Sequence, residues 1–236
     1  MKKVLAITFK ELANYFISPT AYIVVLIALA IFNTFFYLII NENREAHLGD
    51  VFKTMEFMFV FIIPIITMKI FAEEKQTGTM EFLLTTPTKV SQIVLGKFLG
   101  SLVFFSVIVG LTKIYEITLI VYGKPDLTAM CVGYLGVWLE GAFFISIGIF
   151  ISALTSSQMI AAITSYVLIF FLYFGFTFIQ YAPKFAVEWI RGISVMAHTE
   201  NLFGGLVYLT DIVYFISGII FFLILTCLSI DRKRWQ

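Results

Sequence analysis

Long apolar stretches are the feature that most constrains this chain. A helix needs about 20 consecutive, mostly apolar residues to cross the hydrocarbon core of a membrane. Hydrophobic residues make up 60% of the sequence and charged residues only 13%, against about 25% charged residues in soluble domains. The sequence therefore predicts an all-α integral membrane protein with six transmembrane helices, at about Ala21–Ile40, Met55–Phe71, Phe98–Tyr122, Leu127–Ala153, Met159–Tyr181 and Ile212–Ile230.

The distribution of Lys and Arg predicts the orientation of these spans, because cytoplasmic loops carry an excess of both residues. With a cytoplasmic N-terminus, ten of them lie inside, five lie outside and Lys113 falls within a span. We therefore expect a multi-pass protein of the cytoplasmic (inner) membrane with both termini in the cytoplasm. The inner residues are Lys2, Lys3, Lys10, Lys69, Lys75, Lys89, Lys97, Arg232, Lys233 and Arg234, and the outer ones are Arg44, Lys53, Lys124, Lys184 and Arg191.

Two segments are too short or too polar to span. At residues 1–18 an apolar stripe at helical spacing predicts an amphipathic helix on the cytoplasmic leaflet, with an ordinary flanking segment as the alternative. Residues 182–210 contain two half-apolar pieces, for which we expect re-entrant or surface-lying outer helices broken at Gly192 and at Gly204–Gly205. The stripe consists of Leu5, Phe9, Leu12 and Phe16.

A polar stretch, FAEEKQTGTMEFLLTTP, separates the second and third spans from Phe71 to Pro87. Within the predicted cytoplasmic loop 72–96, the residues from Thr79 to Leu84 have a helical pattern that Pro87 ends. A short helix at the membrane surface is a structure that a cytoplasmic partner can push. A solvated loop that only joins two spans is the alternative.

This stretch resembles the cytoplasmic loop of a known family. The pattern F-A-E-E-K-x-x-G-T-x-E-x-L-L-T-x-P, followed by I-V-L-G-K-F-L-G, is similar to that of ABC-2 type transporter permeases, most of all the gliding-motility-type (GldF-like) branch. The segments SPTAYIVV, LYFGF, DIVYF and DRKRW extend the resemblance over nearly the whole chain. The loop motif is fairly specific for the superfamily and says little about the substrate.

The resemblance implies one ABC-2 (type V exporter-like) transmembrane domain over residues 1–236, with a coupling helix between the second and third spans. It also implies pairing with a second permease copy or paralogue and binding to cytoplasmic ABC ATPase subunits, which would hold ATP and Mg²⁺. The chain itself would then carry no catalytic residue, cofactor or metal. Its nearest approach to the phosphate-binding pattern, at Gly96–Lys97, lacks the earlier glycine and the hydroxyl residue. Gly96 and Gly100 more readily indicate close helix packing.

The loop also provides the candidate contact residues. We expect apolar side chains there to fill a groove on the ATPase subunit, and Glu81 to meet a basic residue at its rim. Glu73 and Glu74 are expected to orient the loop against Lys75 or the N-terminal helix. The predicted docking residues are Gly78, Thr79, Met80, Glu81, Phe82, Leu83, Leu84 and Pro87.

Charged residues and a proline fall within the predicted spans. Lys113 and Glu116 lie in span three and Glu140 in span four, where a charge costs about 2.5–3.5 kcal/mol on insertion scales. The depths of Lys113 and Glu140 differ by roughly 5 Å at 1.5 Å per residue, which makes an ion pair between them plausible. These residues line a polar path or proton relay, or else fix the register of the helices. Pro64 predicts a kink and is a hinge candidate, with a tolerated membrane proline as the alternative.

Two functions follow from these features. The first is a permease subunit that couples ATP binding and hydrolysis in a separate ATPase subunit to export of a substrate. The second is a membrane anchor of a motility-type ABC complex, which transmits force or signal to a large extracytoplasmic partner without classical transport. A net charge of +1 gives no basic field for nucleic acid. The sequence contains neither the Gly-x-Ser-x-Gly nor the His-Glu-x-x-His motif of an intramembrane enzyme.

Overall fold

The chain is folded into α-helices in the computed structural model, which describes residues 2–43, 47–85, 88–175, 177 and 184–234. Twelve α-helices and no β-strand occur in this part of the chain. Helices suit an apolar chain of this kind because lipid offers no partner for a backbone N–H or C=O. They are α1 (Lys2–Ile17), α2 (Pro19–Asn43), α3 (Gly49–Thr67), α4 (Lys69–Gln76), α5 (Thr79–Thr85), α6 (Val90–Leu111), α7 (Lys113–Tyr122), α8 (Leu127–Leu154), α9 (Gln158–Phe174), α10 (Lys184–Ile193), α11 (Val195–Phe203) and α12 (Leu209–Arg234).

Five helical stretches within the described residues are long and apolar enough to cross a membrane, and they correspond to predicted spans one, two, three, four and six. The predicted fifth span is helical at Gln158–Phe174 over 17 residues, or roughly 25 Å at 1.5 Å per residue. Most of its predicted remainder lies outside the described residues, so the count of six stays a prediction. The five stretches are Pro19–Glu42, Gly49–Gln76, Val90–Tyr122, Leu127–Leu154 and Leu209–Arg232.

The loop predicted at residues 72–96 is largely helical. Span two continues through α4 to Gln76, and α6 begins at Val90. The sequence suggested an end at Phe71 because charged residues begin there. Glu, Lys and Gln are good helix formers, so the helix extends beyond the apolar stretch. Within the described residues of this stretch, α5 and its flanking residues therefore separate the helices of spans two and three.

Helix α8 lies at the centre of the assembly. It contacts α3, α4, α6, α9, α11 and α12, and it is the most buried of the five candidate spans. Glycines let its neighbours approach closely: a Cβ atom added to Gly141 would lie 2.1 Å from the ring of Phe105, and one added to Gly148 would lie 2.0 Å from Thr67 Oγ1. In contrast, α2 and α12 are mostly exposed, and their apolar outer faces suit contact with lipid.

Helix α1 packs tightly along the beginning of α6. A Cβ atom on Gly96 would lie 2.7 Å from the side chain of Ile7, and one on Gly100 would lie 2.8 Å from Glu11 Cβ. Thr8 donates a hydrogen bond of 3.2 Å to the carbonyl oxygen of Gly96. The two glycines therefore allow close helix packing, and the helix that packs against them is α1.

Most of the predicted apolar stripe of α1 faces away from this contact. Leu5, Phe9 and Phe16 are exposed, whereas Leu12 is half-buried and packs against the apolar core. Thr8 and Glu11 are buried against α6, so the protein-facing side of α1 carries both polar and apolar residues. This arrangement leaves the apolar side free to meet a nonpolar environment, as an amphipathic surface helix does.

The described residues of the segment predicted to lie outside form two helices, α10 and α11. Its break falls at Ser194, whose extended backbone starts α11, and not at the predicted Gly192, which lies inside α10 because glycine tolerates helical backbone angles as well as others. The predicted break at Gly204–Gly205 is present, and Gly205 has a φ of +82°. Helix α11 is in contact with α3, α8, α9 and α12, so the second half of this segment belongs to the packed interior.

Candidate coupling site

The stretch between spans two and three forms a stem and a short terminal helix. The stem α4 ends at Gln76, where the N–H of Thr77 donates to the carbonyl of Glu73 at 2.9 Å. Gly78 follows with a φ of +73° and turns the chain into α5. The hydroxyl of Thr79 returns to the stem with a 3.3 Å hydrogen bond to the carbonyl of Glu74. The direction of α5 is therefore fixed by backbone geometry and by hydrogen bonds to α4.

Replacing Gly78 by Ala is expected to destabilise this turn by about 1–2 kcal/mol, because an L-residue is strained at positive φ. A Cβ atom at Gly78 meets nothing within 4 Å, so the cost is one of backbone conformation alone. Gly192→Ala is a matched control, since its Cβ atom also meets nothing but Gly192 lies within a helix. Thermal unfolding should show Gly78→Ala less stable than the native chain and Gly192→Ala equally or slightly more stable. Equal effects of the two variants would contradict this account of the turn.

The residues of α5 divide into an inner and an outer set. Met80 is 7% exposed and packs into the apolar core, while Phe82 is 76% exposed. Thr79 and Glu81 are exposed as well. Met80 therefore anchors α5 to its own chain. Its side chain packs inward, where α5 contacts the core, and so it does not lie on the exposed face that the docking prediction assumed. The predicted docking residues Leu83, Leu84 and Pro87 cannot be added to either set: the first two have side chains, and the third its whole residue, outside the described part.

Ser152 joins the stem to the central helix α8. Its hydroxyl accepts hydrogen bonds of 3.0 Å from the N–H groups of both Phe71 and Ala72. It also donates to the carbonyl oxygen of Met68 at 3.0 Å. These three groups border the interruption between α3 and α4, where backbone groups lose their partners within the helix. One buried hydroxyl thus provides hydrogen-bond partners for the backbone groups at the interruption and joins them to α8.

Ser152→Ala is expected to cost about 1–3 kcal/mol of unfolding free energy, because it leaves buried backbone groups without a partner. Ser146→Ala is the matched control. Ser146 is also buried on α8, but among the described residues its hydroxyl donates to the carbonyl oxygen of Phe143 within the same helix and to no other helix. Thermal unfolding in detergent should separate the two variants, and a Ser146→Ala loss as large as that of Ser152→Ala would argue against a specific role at the break.

The predicted hinge residue Pro64 lies four residues before this interruption. Helix α3 continues through Pro64, and the interruption comes at Met68, whose N–H still donates to the carbonyl of Pro64 at 2.9 Å. The proline and the interruption together mark the point where span two passes from α3 into α4. A hinge function for Pro64 stays a prediction.

A buried lysine links three helices at the base of the stem. Lys97 on α6 is 1% exposed, and its ammonium group lies 2.9 Å from Glu11 Oε1 on α1 and 2.8 Å from Glu74 Oε1 on α4. Its third hydrogen bond goes to the carbonyl oxygen of Ile70 at 2.8 Å. All three donors of the ammonium are used. We call Lys97, Glu11, Glu74 and the Ile70 carbonyl the Lys97 cluster.

Tyr15 continues this connection towards α3. Its hydroxyl donates to the carbonyl oxygen of Ile66 at 3.1 Å and lies 3.1 Å from the hydroxyl of Ser101 on α6. Burial raises the pKa of Tyr15 well above its usual value, so the hydroxyl stays protonated and available as a donor. The ring stacks on Phe104 with centroids 4.6 Å apart. Helix α1 is therefore held at both the stem and the end of α3.

The predicted loop-orienting residues have different partners from those expected. Glu74 bonds Lys97, and the N-terminal helix meets the same ammonium group through Glu11. Lys75 donates to the carbonyl oxygen of Ala153 at the end of α8. Glu73 is exposed and makes no side-chain hydrogen bond to another described residue. In the sequence Lys97 is one of several predicted inner positive charges, and nothing in the pattern indicated that it pairs with Glu11 and Glu74.

The ion pair considered between Lys113 and Glu140 is not formed. Lys113 lies 2.9 Å from Glu116 and 4.4 Å from the ring centroid of Tyr134. Tyr134 precedes Glu140 by six residues, or about 9 Å along α8, so the depth estimate placed Lys113 too deep. The helix is also interrupted at Thr112, between α6 and α7. Lys113 and Glu116 form a half-exposed pair, and Glu140 is buried elsewhere.

The fold and site define a multi-pass membrane protein with a short helix presented beyond the ends of its spans. The family model described as ABC-2 family transporter protein matches residues 4–230. The chain therefore belongs to the ABC-2 transporter family. Members of this family are membrane permease components of ABC transporters; they are not enzymes themselves and work with ATPase subunits. A comparison with curated proteins found no significant match.

Proposed function

We propose that the chain is the permease subunit of an ATP-driven ABC-2 exporter, and that α5 is the coupling helix on which its ATPase subunit docks. The observation that carries this proposal is the exposure of Phe82 beside Glu81, on a helix whose stem is bonded to three others. A protruding aromatic side chain that enters a pocket is a common energetic centre of protein interfaces. Glu81 supplies a charge for a basic residue at the rim of that pocket.

Movement of α5 is transmitted by the contacts of α4. The Lys97 cluster carries it to α1 and α6, and Ser152 and Lys75 carry it to α8. A cleft of about 630 Å³ between α1, α2 and α4 gives the stem space in which to tilt. ATP and Mg²⁺ belong to the partner subunit. Their binding and hydrolysis would change the position of α5 and so the packing of the spans around α8.

The finer architecture forms part of the same proposal. It has six spans, cytoplasmic termini in the inner membrane, α1 on the cytoplasmic leaflet and α10–α11 as a re-entrant outer segment. The exposed apolar side of α1 and the burial of α11 support it. Pairing with a second permease copy or paralogue, the gliding-motility-type branch and a large extracytoplasmic partner rest on resemblance alone. No observation on the described residues favours the force-transmitting alternative over export.

Phe82→Asp should abolish association with the ATPase subunit, because a charged side chain cannot fill an apolar pocket. The tagged chain is purified from native membranes and the proteins that accompany it are quantified. We expect an ABC ATPase subunit with the native chain and at least a tenfold loss with Phe82→Asp. Tyr122→Asp is the control: Tyr122 is 86% exposed but lies at the end of α7, on the predicted outer side. Retention of the ATPase by Phe82→Asp would contradict the proposal.

A further inference from the structure

Two carboxyl groups are buried inside the helical assembly, away from the Lys97 cluster. Glu56 on α3 is 2% exposed and Glu140 on α8 is 0% exposed. The hydroxyl of Thr199 on α11 donates a 2.5 Å hydrogen bond to Glu56 Oε1. Helices α3 and α8 pack against each other one to two turns before these residues, where a Cβ atom added to Gly133 would lie 2.1 Å from the ring of Phe52, so both carboxyl groups lie in the same part of the interior. Helix α9, which carries Tyr173, packs against both helices. Four helices thus converge on this pair.

The surroundings of the two carboxyl groups disfavour the ionisation of both. Neither oxygen of Glu140 has a hydrogen-bond partner in the part of the chain that the structure describes. An ionised carboxylate buried without hydrogen bonds is strongly disfavoured, and a second carboxylate beside it adds repulsion.

Nearby charged groups do not relieve this repulsion. Lys53 acts on Glu56, but it is exposed and paired with Asp50 at 3.3 Å. Glu200 on α11, which is exposed, adds a further negative charge in this region. No set of three or more His, Cys, Asp and Glu side chains among the described residues could hold a metal ion. The side chains around the pair therefore leave its negative charge uncompensated.

We propose that Glu56 and Glu140 form a proton-binding site, with Glu140 protonated at neutral pH. A protonated carboxyl group gains an O–H donor, which a neighbouring carboxylate can accept, as in other pairs of carboxyl groups that share a proton. The proton supplies the positive charge that the side chains lack. This proposal is independent of ATPase docking, because none of its residues belongs to α4, α5 or the Lys97 cluster.

The position of the site ties proton binding to the outer segment. Glu56 lies seven residues after the start of α3 at Gly49, or about 10 Å along the helix. Thr199 connects it directly to α11. Loss of the proton would leave two negative charges in the protein interior near α11. Their repulsion would weaken the packing of α11 against α3. The site therefore makes the packing of the outer segment sensitive to pH.

Infrared spectroscopy of the full chain in lipid nanodiscs tests the proposal through the C=O stretching band of protonated carboxyl groups. At about pH 7, where exposed Glu is ionised, the native chain should show this band. Glu140→Gln should weaken it, and the double variant Glu56→Gln/Glu140→Gln should remove it, whereas Glu188→Gln, at an exposed position on α10, should leave it unchanged. Absence of the band from the native chain, or its persistence in the double variant, would overturn the proposal. The native spectrum decides the first point even if the variant does not fold.

Thermal unfolding as a function of pH provides a second measurement. A proton that the folded chain holds and the unfolded chain releases raises the unfolding constant about tenfold per pH unit, above the pKa of an exposed Glu. The native chain should therefore lose stability with rising pH, and Glu140→Gln should lose less. Stabilisation by Na⁺ but not by choline, together with no protonated band, would show that the pair binds a metal cation and would overturn the assignment to a proton.

Discussion

Lys97→Met is expected to destabilise the folded chain by about 3–5 kcal/mol, the usual cost of removing one partner from a buried ion pair. The substitution keeps much of the side-chain volume but leaves Glu11 and Glu74 without their cation. It also removes the donor to the Ile70 carbonyl. The unfolding free energy in detergent measures the effect, and the amount of intact protein in the membrane should fall with it.

Two further variants separate charge from packing in this result. Adding Glu11→Gln and Glu74→Gln to Lys97→Met should recover part of the loss, because the uncompensated negative charges are gone. Lys53→Met is the surface control: its pair with Asp50 is exposed, and such pairs contribute about 0–1 kcal/mol. A Lys97→Met variant as stable as Lys53→Met would show that the cluster does not hold the three helices together.

Gly96→Leu is expected to release α1 from α6. Even a Cβ atom at this position would lie 2.7 Å from Ile7, and overpacking of a closely packed contact costs about 1–3 kcal/mol. Amide hydrogen exchange from Thr8 to Tyr15 should then become about tenfold faster or more, since α6 provides most of the contacts of α1. Gly110→Leu is the control on the same helix, because a Cβ atom there meets nothing within 4 Å. Unchanged exchange in Gly96→Leu would contradict the packing described for α1.

The spans could be predicted from the sequence because the thickness of the membrane sets the length and the apolar composition that a spanning helix needs. Five of them are confirmed as helices of sufficient length. The helical repeat of Leu5, Phe9, Leu12 and Phe16 likewise predicts a helix, and α1 is present. It could not reveal that α1 packs through Thr8 and Glu11, because small and polar residues on a helix give no periodic apolar signal.

The charged clusters were harder to predict. Lys97 lies where an inner positive charge is expected anyway, so its burial had no separate signal apart from the glycines on either side. Glu56 falls at the edge of the predicted span Met55–Phe71, whereas the helix begins six residues before Met55, at Gly49, so the sequence did not identify Glu56 as an interior charge. Pairing of Lys113 with Glu140 was estimated from depth alone, and depth does not determine which neighbour a side chain faces.

In the proposed complex an ATPase subunit contacts the exposed face of α5. A photo-cross-linking amino acid placed at Phe82 in the native membrane tests for this contact, with one at Tyr122 as the control at the other end of span three. We expect a cross-link from position 82 to an ABC ATPase subunit, and none to that subunit from position 122. Cross-links from position 82 to lipid or to another protein, in membranes that contain the ATPase, would contradict it.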